Sequence, residues 1–196
     1  MASLVLSGDT SGSITLAAPA VSGSTTQTLV NVTGTLAPVV SGTAVASTSG
    51  TSIDFTGIPS WVKRITVMFN GFSTNGSSNY LVQLGDAGGF ETTGYLSAGA
   101  YIATSAAAST AFTTGLGIQN GGAGSGTITH GAMIISLQNS ATNTWAAIGN
   151  FINTDTARTL YMAGTKPLSD VLTQVRITTV NGTDTFDAGT INILYE

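Results

Sequence analysis

Residues Val171–Glu196 read VLTQVRITTVNGTDTFDAGTINILYE. Two runs alternate within this stretch: Val175, Ile177 and Thr179, then Ile191, Ile193 and Tyr195. Side chains two apart on a strand share a face, so each run lays a stripe of β-branched or aromatic residues on one side. Between the runs stands Asn181-Gly182, a pair that takes positive φ at low cost and so opens a turn. The linker is longer than a two-residue hairpin. The spacing therefore predicts two strands and favours, without requiring, their direct pairing. The chain stops one residue after Tyr195, as expected of a strand held in a sheet.

The same pattern recurs upstream. Ile65, Val67 and Phe69 alternate with Arg64, Thr66 and Met68, and Asn75-Gly76-Ser77-Ser78 then turns the chain into Tyr80, Val82 and Leu84. A weaker run covers 96–104, and 106–111 has the makings of a short helical turn, although the flanking Thr and Gly argue for loop or strand. The segment 120–126, Asn-Gly-Gly-Ala-Gly-Ser-Gly, reads as a flexible loop. The longest apolar run follows at 127–139, with Ile128, Met133, Ile134, Ile135 and Leu137. Both of its faces are partly apolar, which predicts a strand buried inside a sandwich. Residues 139–143 form a hairpin loop into Trp145, Ala147, Gly149 and Phe151, and 159–162 is one more short strand. Short strands separated by Gly, Asn and Ser turns, with no helical period, predict an all-β body of β-sandwich or jelly-roll type.

Residues 1–38 read as a separate region. Leu4/Leu6, Ile14/Leu16, Thr28/Val30/Val32 and Leu36 lie in short alternating runs punctuated by Ser7-Gly8-Asp9, Ser22-Gly23-Ser24 and Thr33-Gly34. So light an apolar load rarely folds alone. The expectation is an N-terminal β arm, 1–38, that docks or trimerises by completing its core with a neighbouring subunit, ahead of a β-sandwich domain at 39–196. The plainer alternative is a meander packed on its own domain. Around Pro38 the tract 41–51 is the junction, with a short strand at Ala44-Val45-Ala46.

Composition narrows the chemistry. Of 196 residues only 7% are charged, against roughly 25% in an average soluble domain. Solubility must then rest on hydroxyls and amides, or much of the surface must be covered by other subunits. Five Lys+Arg and a net charge of -4 argue against nucleic-acid binding, which depends on clustered cations. The absence of cysteine excludes disulfides, thiolate metal sites and thiol nucleophiles. No run approaches the ~20 apolar residues of a spanning helix, so no membrane insertion is expected. The opening MASLVLSGDTSG lacks the basic n-region of a signal peptide, which predicts a chain made in the cytoplasm without a secretion signal.

No reaction centre stands out. The single histidine, His130, falls within an alternating strand, and no G-x-S-x-G elbow accompanies it. Asp184 and Asp187 flank Phe186 in a turn, and Asp86 lies beside Gly85. Carboxylates that cap their own turns explain these more simply than calcium does. A glycosidase needs two facing carboxylates; Asp54, Glu91, Asp155 and Asp170 are scattered singly. Lys63 and Lys166 raise the idea of a Lys–Asn isopeptide cross-link, with no motif to support it. No cofactor is expected. Aromatic rings stack on sugars, although in a sandwich they more often fill the core. Of the aromatics, Trp61, Trp145 and Tyr161 are the candidates for ligand contact.

Two blocks carry a resemblance. Gly12–Ala20 (GSITLAAPA) with Gly23–Leu29 (GSTTQTL) resembles the opening of many tailed-bacteriophage fibre-like and head-decorating proteins, with Val30 where proline often stands. Ile53–Ile65 and Val175–Glu196 look like parts of a domain common in phage virion proteins. The resemblance implies a non-enzymatic structural protein exposed on the virion surface as a capsid decoration, head fibre or tail-fibre-like homotrimer, attached to capsid or tail proteins through its N-terminal arm. The alternative is a receptor- or glycan-binding module of a tail fibre or spike, meeting a host surface glycan. The resemblance carries over no catalytic residues.

Overall fold

The computed structural model describes residues 3–7, 13–17, 37–121 and 124–196. The expected runs at Thr28/Val30/Val32 and Leu36, the three turns that punctuate the arm, and Gly122-Ala123 lie outside the described residues. The chain divides into two compact units, Met1–Leu36 and Ala37–Glu196.

In the first unit, β1 (Ser3–Ser7) pairs antiparallel with β2 (Ser13–Ala17). Leu4 stands opposite Leu16 and Leu6 opposite Ile14, so the two apolar runs read from the sequence share one hairpin.

The second unit begins with β3 (Val40–Ser41), β4 (Val45–Ala46), β5 (Ile53–Thr56) and β6 (Arg64–Thr74). Next come β7 (Tyr80–Asp86), β8 (Gly89–Phe90), β9 (Leu96–Ile102), β10 (Ala107–Phe112) and β11 (Leu116–Ile118). The unit ends with β12 (Thr129–Asn139), β13 (Thr144–Asn153), β14 (Arg158–Pro167), β15 (Gln174–Thr179) and β16 (Phe186–Tyr195). No helix occurs among the described residues.

Two antiparallel sheets form. The larger has nine strands in the order β10-β9-β14-β13-β12-β6-β16-β3, with β4 also on the β16 edge. The smaller has five, in the order β11-β7-β15-β5, with β8 paired to β7. The body is thus a β-sandwich. β12, β13 and β14 make a meander, whereas β4 to β5, β5 to β6, β6 to β7, β8 to β9, β10 to β11, β11 to β12, β14 to β15 and β15 to β16 cross between sheets. The last crossing settles the pairing left open by the sequence: β15 bonds β5 and β7, while β16 bonds β6, β3 and β4. The two closing strands are not hairpin partners. Gly182 takes φ 66 at the bend between them, so Asn-Gly turns the chain from one layer to the other.

Alternation decides what is buried. Ile65, Val67 and Phe69 of β6, Met133 and Ile135 of β12, and Ile191 and Ile193 of β16 face the small sheet, and Val82, Leu84, Val175 and Ile177 meet them from the other layer. Phe72 is fully enclosed, its ring 5.0 Å from Phe69, 4.6 Å from Tyr80 and 6.3 Å from Phe186 between centroids. Full burial of one such apolar side chain stabilises by roughly 1.5–3 kcal/mol. Polar residues also enter the interior. The Tyr95 hydroxyl accepts the Leu84 N–H at 2.7 Å and donates to the Glu91 carbonyl at 3.0 Å, and burial raises its pKa.

The second apolar stripe of β12 departs from expectation. Ile134 and its neighbours on that face are not enclosed: Ile134 is 40% exposed. A two-layer sandwich covers only one face of each sheet, and β12 lies in the middle of the larger one. Its second stripe therefore looks outward.

Candidate interaction face

The outward face of the larger sheet is built from the alternate residues of seven adjacent strands. Register places Met68, Ala132, Asn150, Tyr161, Ala100 and Ser109 side by side across β6, β12, β13, β14, β9 and β10. The next row holds Thr66, Ile134, Ile148, Ala163, Ala98 and Ala111. On one flank lie His130, Ile152, Thr159 and Ile102; on the other, Ser136, Ala146, Thr165 and Leu96. Asn192 and Leu194 of β16 extend the two central rows beyond β6.

No formally charged side chain occupies either central row. Arg64 sits at one corner, in an ion pair with Glu196. The other two cations on these strands use the opposite parity. Arg158 donates to the Gly121 carbonyl at 2.9 Å and lies over the Tyr101 ring, while Lys166 is buried. The face is also apolar. Of the eleven large apolar side chains exposed among the described residues, six are here: Leu96 (74%), Ile148 (57%), Ile102 (55%), Ile152 (47%), Tyr161 (45%) and Ile134 (40%). Single exposed apolar residues are ordinary, but a contiguous patch marks a contact surface. Two shallow hollows indent it. One, of about 580 Å³, runs between Leu96, Ala98, Ala111 and Ala163; the other, of about 500 Å³, lies between His130, Asn150, Ile152 and Tyr161.

The three aromatic candidates separate. Tyr161 belongs to this face and lines the second hollow. Trp61 is 38% exposed and packs on Tyr195 with centroids 5.9 Å apart. Trp145 is only 3% exposed, on the inward parity of β13 with Ala147 and Phe151. Its indole fills the space between the sheets, which corrects its candidacy as a ligand contact.

His130 stands on the outward face, and its Nδ1 accepts the Gly71 N–H at 3.1 Å. It has no carboxylate or hydroxyl partner among the described residues. The arrangement needed to drive a nucleophile, with a base oriented by an acid, is not assembled around it. Sequence reasoning placed His130 in a strand correctly but gave no sign that it borders an open hollow.

The scattered carboxylates resolve into local roles. Asp184 accepts the Ser78 N–H at 3.0 Å and a bond from Asn181 Nδ2, while Asn181 Oδ1 accepts the N–H groups of Thr183 and Asp184. Asp187 is bonded by the Ser73 hydroxyl. Both carboxylates therefore secure the bend into β16. No cluster of three metal-ligating side chains occurs among the described residues.

Asp86 and Glu91 do come together, through Ser169. The Ser169 hydroxyl donates to Asp86 at 2.6 Å and its N–H donates to Glu91 at 2.7 Å. Lys166, with its side chain almost wholly enclosed, pairs with Glu91 and lies 5.2 Å from the Tyr95 ring centre. The Ser169 hydroxyl and then the Gly88 N–H hold the Asp86 carboxyl below its ordinary value. At Glu91 burial pushes upward, but Lys166 and Ser169 outweigh it and the net shift is down. Two carboxylates shifted the same way are both ionised at neutral pH. A general acid paired with a base needs their environments to push them apart. The cluster works as a latch joining the β7–β8 turn to the end of β14. Lys166 meets a carboxylate there, not an asparagine, so the isopeptide idea gains no geometry.

No family model, no curated protein and no solved structure matches the chain.

Proposed function

We propose that the chain is a non-enzymatic structural protein of a tailed-bacteriophage virion, displayed on the particle as a capsid decoration, head fibre or tail-fibre-like homotrimer. The sequence resemblance motivates the source. The observation that carries the role is the outward face of the larger sheet, a broad apolar surface with no charge in its two central rows, suited to assembly. A rigid body without thiols, with charges on only 7% of its residues, suits a part that persists outside a cell and is covered by neighbours. In this reading residues 1–38 attach to capsid or tail proteins and the sandwich is the displayed domain.

Gold-labelled antibody against the chain, applied to purified particles, tests the proposal. Label on intact virions is the expected result, and label retained on tailless capsids selects the decoration or head-fibre role. Particles without label, from cells that make the protein, refute it.

A second reading, a receptor- or glycan-binding module, has one observation in its favour: the hollow that sets Tyr161 beside Asn150 and His130, an aromatic ring next to amide and imidazole donors. Glycan-array binding lost in Tyr161→Ala, with an unchanged melting curve, supports it. A blank array with the folded wild type removes it.

A further inference from the structure

The outward face of the larger sheet is a β-sheet surface that nothing in the described body covers. Its occupant has to accept an area with no charge to recognise. A partner selected by charge complementarity finds no handle in the two central rows, because the nearest cation, Arg64, is already paired with Glu196. A second copy of this chain has the matching property. Each copy carries a net charge of -4, so like copies repel over most of their surfaces. They avoid close like-charge contacts, and desolvating an ion, only where both are uncharged.

Size agrees. Seven strands spaced about 4.8 Å apart span roughly 30 Å, and the outward residues from Thr159 to Thr165 cover roughly 20 Å along β14. The product, on the order of 600 Å², rises toward about 800 Å² once side-chain breadth is included, which is what each partner of a standard stable interface contributes. Edge-to-edge growth is a poor alternative on the β16 side, where β3 and β4 already occupy the hydrogen-bonding edge.

We infer that, within the assembly role proposed above and resting on it, this face packs against the same face of a second copy of the chain, with Ile134 and Ile148 at the centre of the contact. Sheets stacked this way lie about 10 Å apart and interdigitate their side chains. Around a twofold axis the whole face meets itself. Around a threefold axis the β9–β10–β14 half meets the β6–β12–β16 half of the next copy, over about half that area per contact.

Sedimentation velocity on the full chain, from about 1 to 100 µM and in both low and high salt, tests this. The wild type is expected to associate, and to associate no less in high salt, because the two central rows of the contact contain no charge. Ile148→Arg and Ile134→Arg are each expected to raise the dissociation constant about thirty-fold or more, the effect of placing a charge in the centre of a desolvated contact. Val180→Arg, at an exposed apolar position between β15 and β16, is expected to leave it unchanged. Circular dichroism and thermal melts establish that each variant is folded. If an arginine variant does not fold, Ile148→Thr, which keeps the β-branched shape and loses apolar contact, is expected to weaken association several-fold.

A wild type that stays monomeric over the whole range overturns the inference and the homo-oligomer with it. Association that survives Ile148→Arg, or Ile148→Thr where that variant replaces it, overturns the inference alone and leaves assembly to another surface. Intact self-association in a protein absent from labelled particles upholds the face and refutes the virion role.

Discussion

Replacing Lys166 with methionine isolates the latch between β14 and the β7–β8 turn. Methionine keeps most of the aliphatic stem but removes the ammonium that Glu91 faces and that lies over the Tyr95 ring. Taking one partner from a buried ion pair typically costs 3–5 kcal/mol, because the other charge is left uncompensated. Here the Lys166 side chain is 5% exposed but that of Glu91 is 23% exposed, so water screens part of the loss. The Ser169 N–H bond to Glu91 also remains. The expected cost is therefore about 2–3 kcal/mol near pH 7, a drop in Tm of roughly 5–10 °C for a body of this size. The pH dependence carries the sharper test. In the wild type Glu91 titrates below its ordinary value. Its contribution is present above the unfolded pKa, about 4.3, and is lost as pH falls through the folded value. Without Lys166 its downward pull goes while burial and the Ser169 bonds remain, so the Glu91 carboxyl moves up. The deficit of Lys166→Met is then greatest near neutral pH and shrinks as pH falls through the folded wild-type value, below which Glu91 is protonated in both proteins. Urea unfolding at pH 7 and pH 3.5, with Glu91→Gln and the double variant closing the cycle, measures it. A coupling below about 0.5 kcal/mol at pH 7, or a deficit that does not change with pH, refutes the account.

Three further outcomes follow from packing and backbone geometry. Phe72→Ala removes a fully enclosed ring in contact with Phe69, Tyr80 and Phe186 and should cost about 3–5 kcal/mol in denaturant unfolding; a loss under about 1 kcal/mol means the neighbours collapse into the space. Gly131→Ala drives a Cβ into the Asn150 carbonyl oxygen at φ +151 and should cost more than about 2 kcal/mol. Gly124→Ala, with no atom within 4 Å of its Cβ, should be neutral within about 1 kcal/mol, and similar melts for the two variants contradict the β12–β13 register. Acrylamide should quench Trp61 freely and Trp145 hardly at all, so Trp61→Phe leaves a blue-shifted, protected emission; a freely quenched Trp145 places its indole outside the core.

Much of the architecture was legible in local pattern, and its limits have identifiable causes. The closing runs were recognisable as strands because Val175/Ile177 and Ile191/Ile193 alternate, which is a property of six or seven neighbouring residues. Their partners were not legible. β16 bonds to β6, more than a hundred residues earlier, and nothing within 171–196 encodes that choice. Trp145 was misjudged although its parity was readable: it shares a stripe with Ala147, Gly149 and Phe151, and a stripe ending in phenylalanine faces the core. The outward face was hidden for a different reason. In β12 the sequence shows two apolar stripes, but burial by a second layer and exposure awaiting a partner produce the same letters. Only the count of layers, known once the sheets are assembled, tells them apart. The Glu91–Lys166 pair joins residues 75 positions apart and left no local trace.

The position of β16 has a consequence for biosynthesis. β6 lies between β12 and β16 in the larger sheet, yet one of these neighbours is translated soon after it and the other only as Phe186–Tyr195 is made. Until then one edge of β6 has open hydrogen-bonding groups, and the bridgeheads of β3 and β4 have no strand to dock on. The ribosome must therefore deliver almost the whole body before the sheet can close, and a nascent chain stalled ahead of Phe186 presents a raw strand edge to its neighbours on the same message. The larger sheet of this body closes only once Phe186–Tyr195 has been made, and on a crowded polysome prompt closure then matters most.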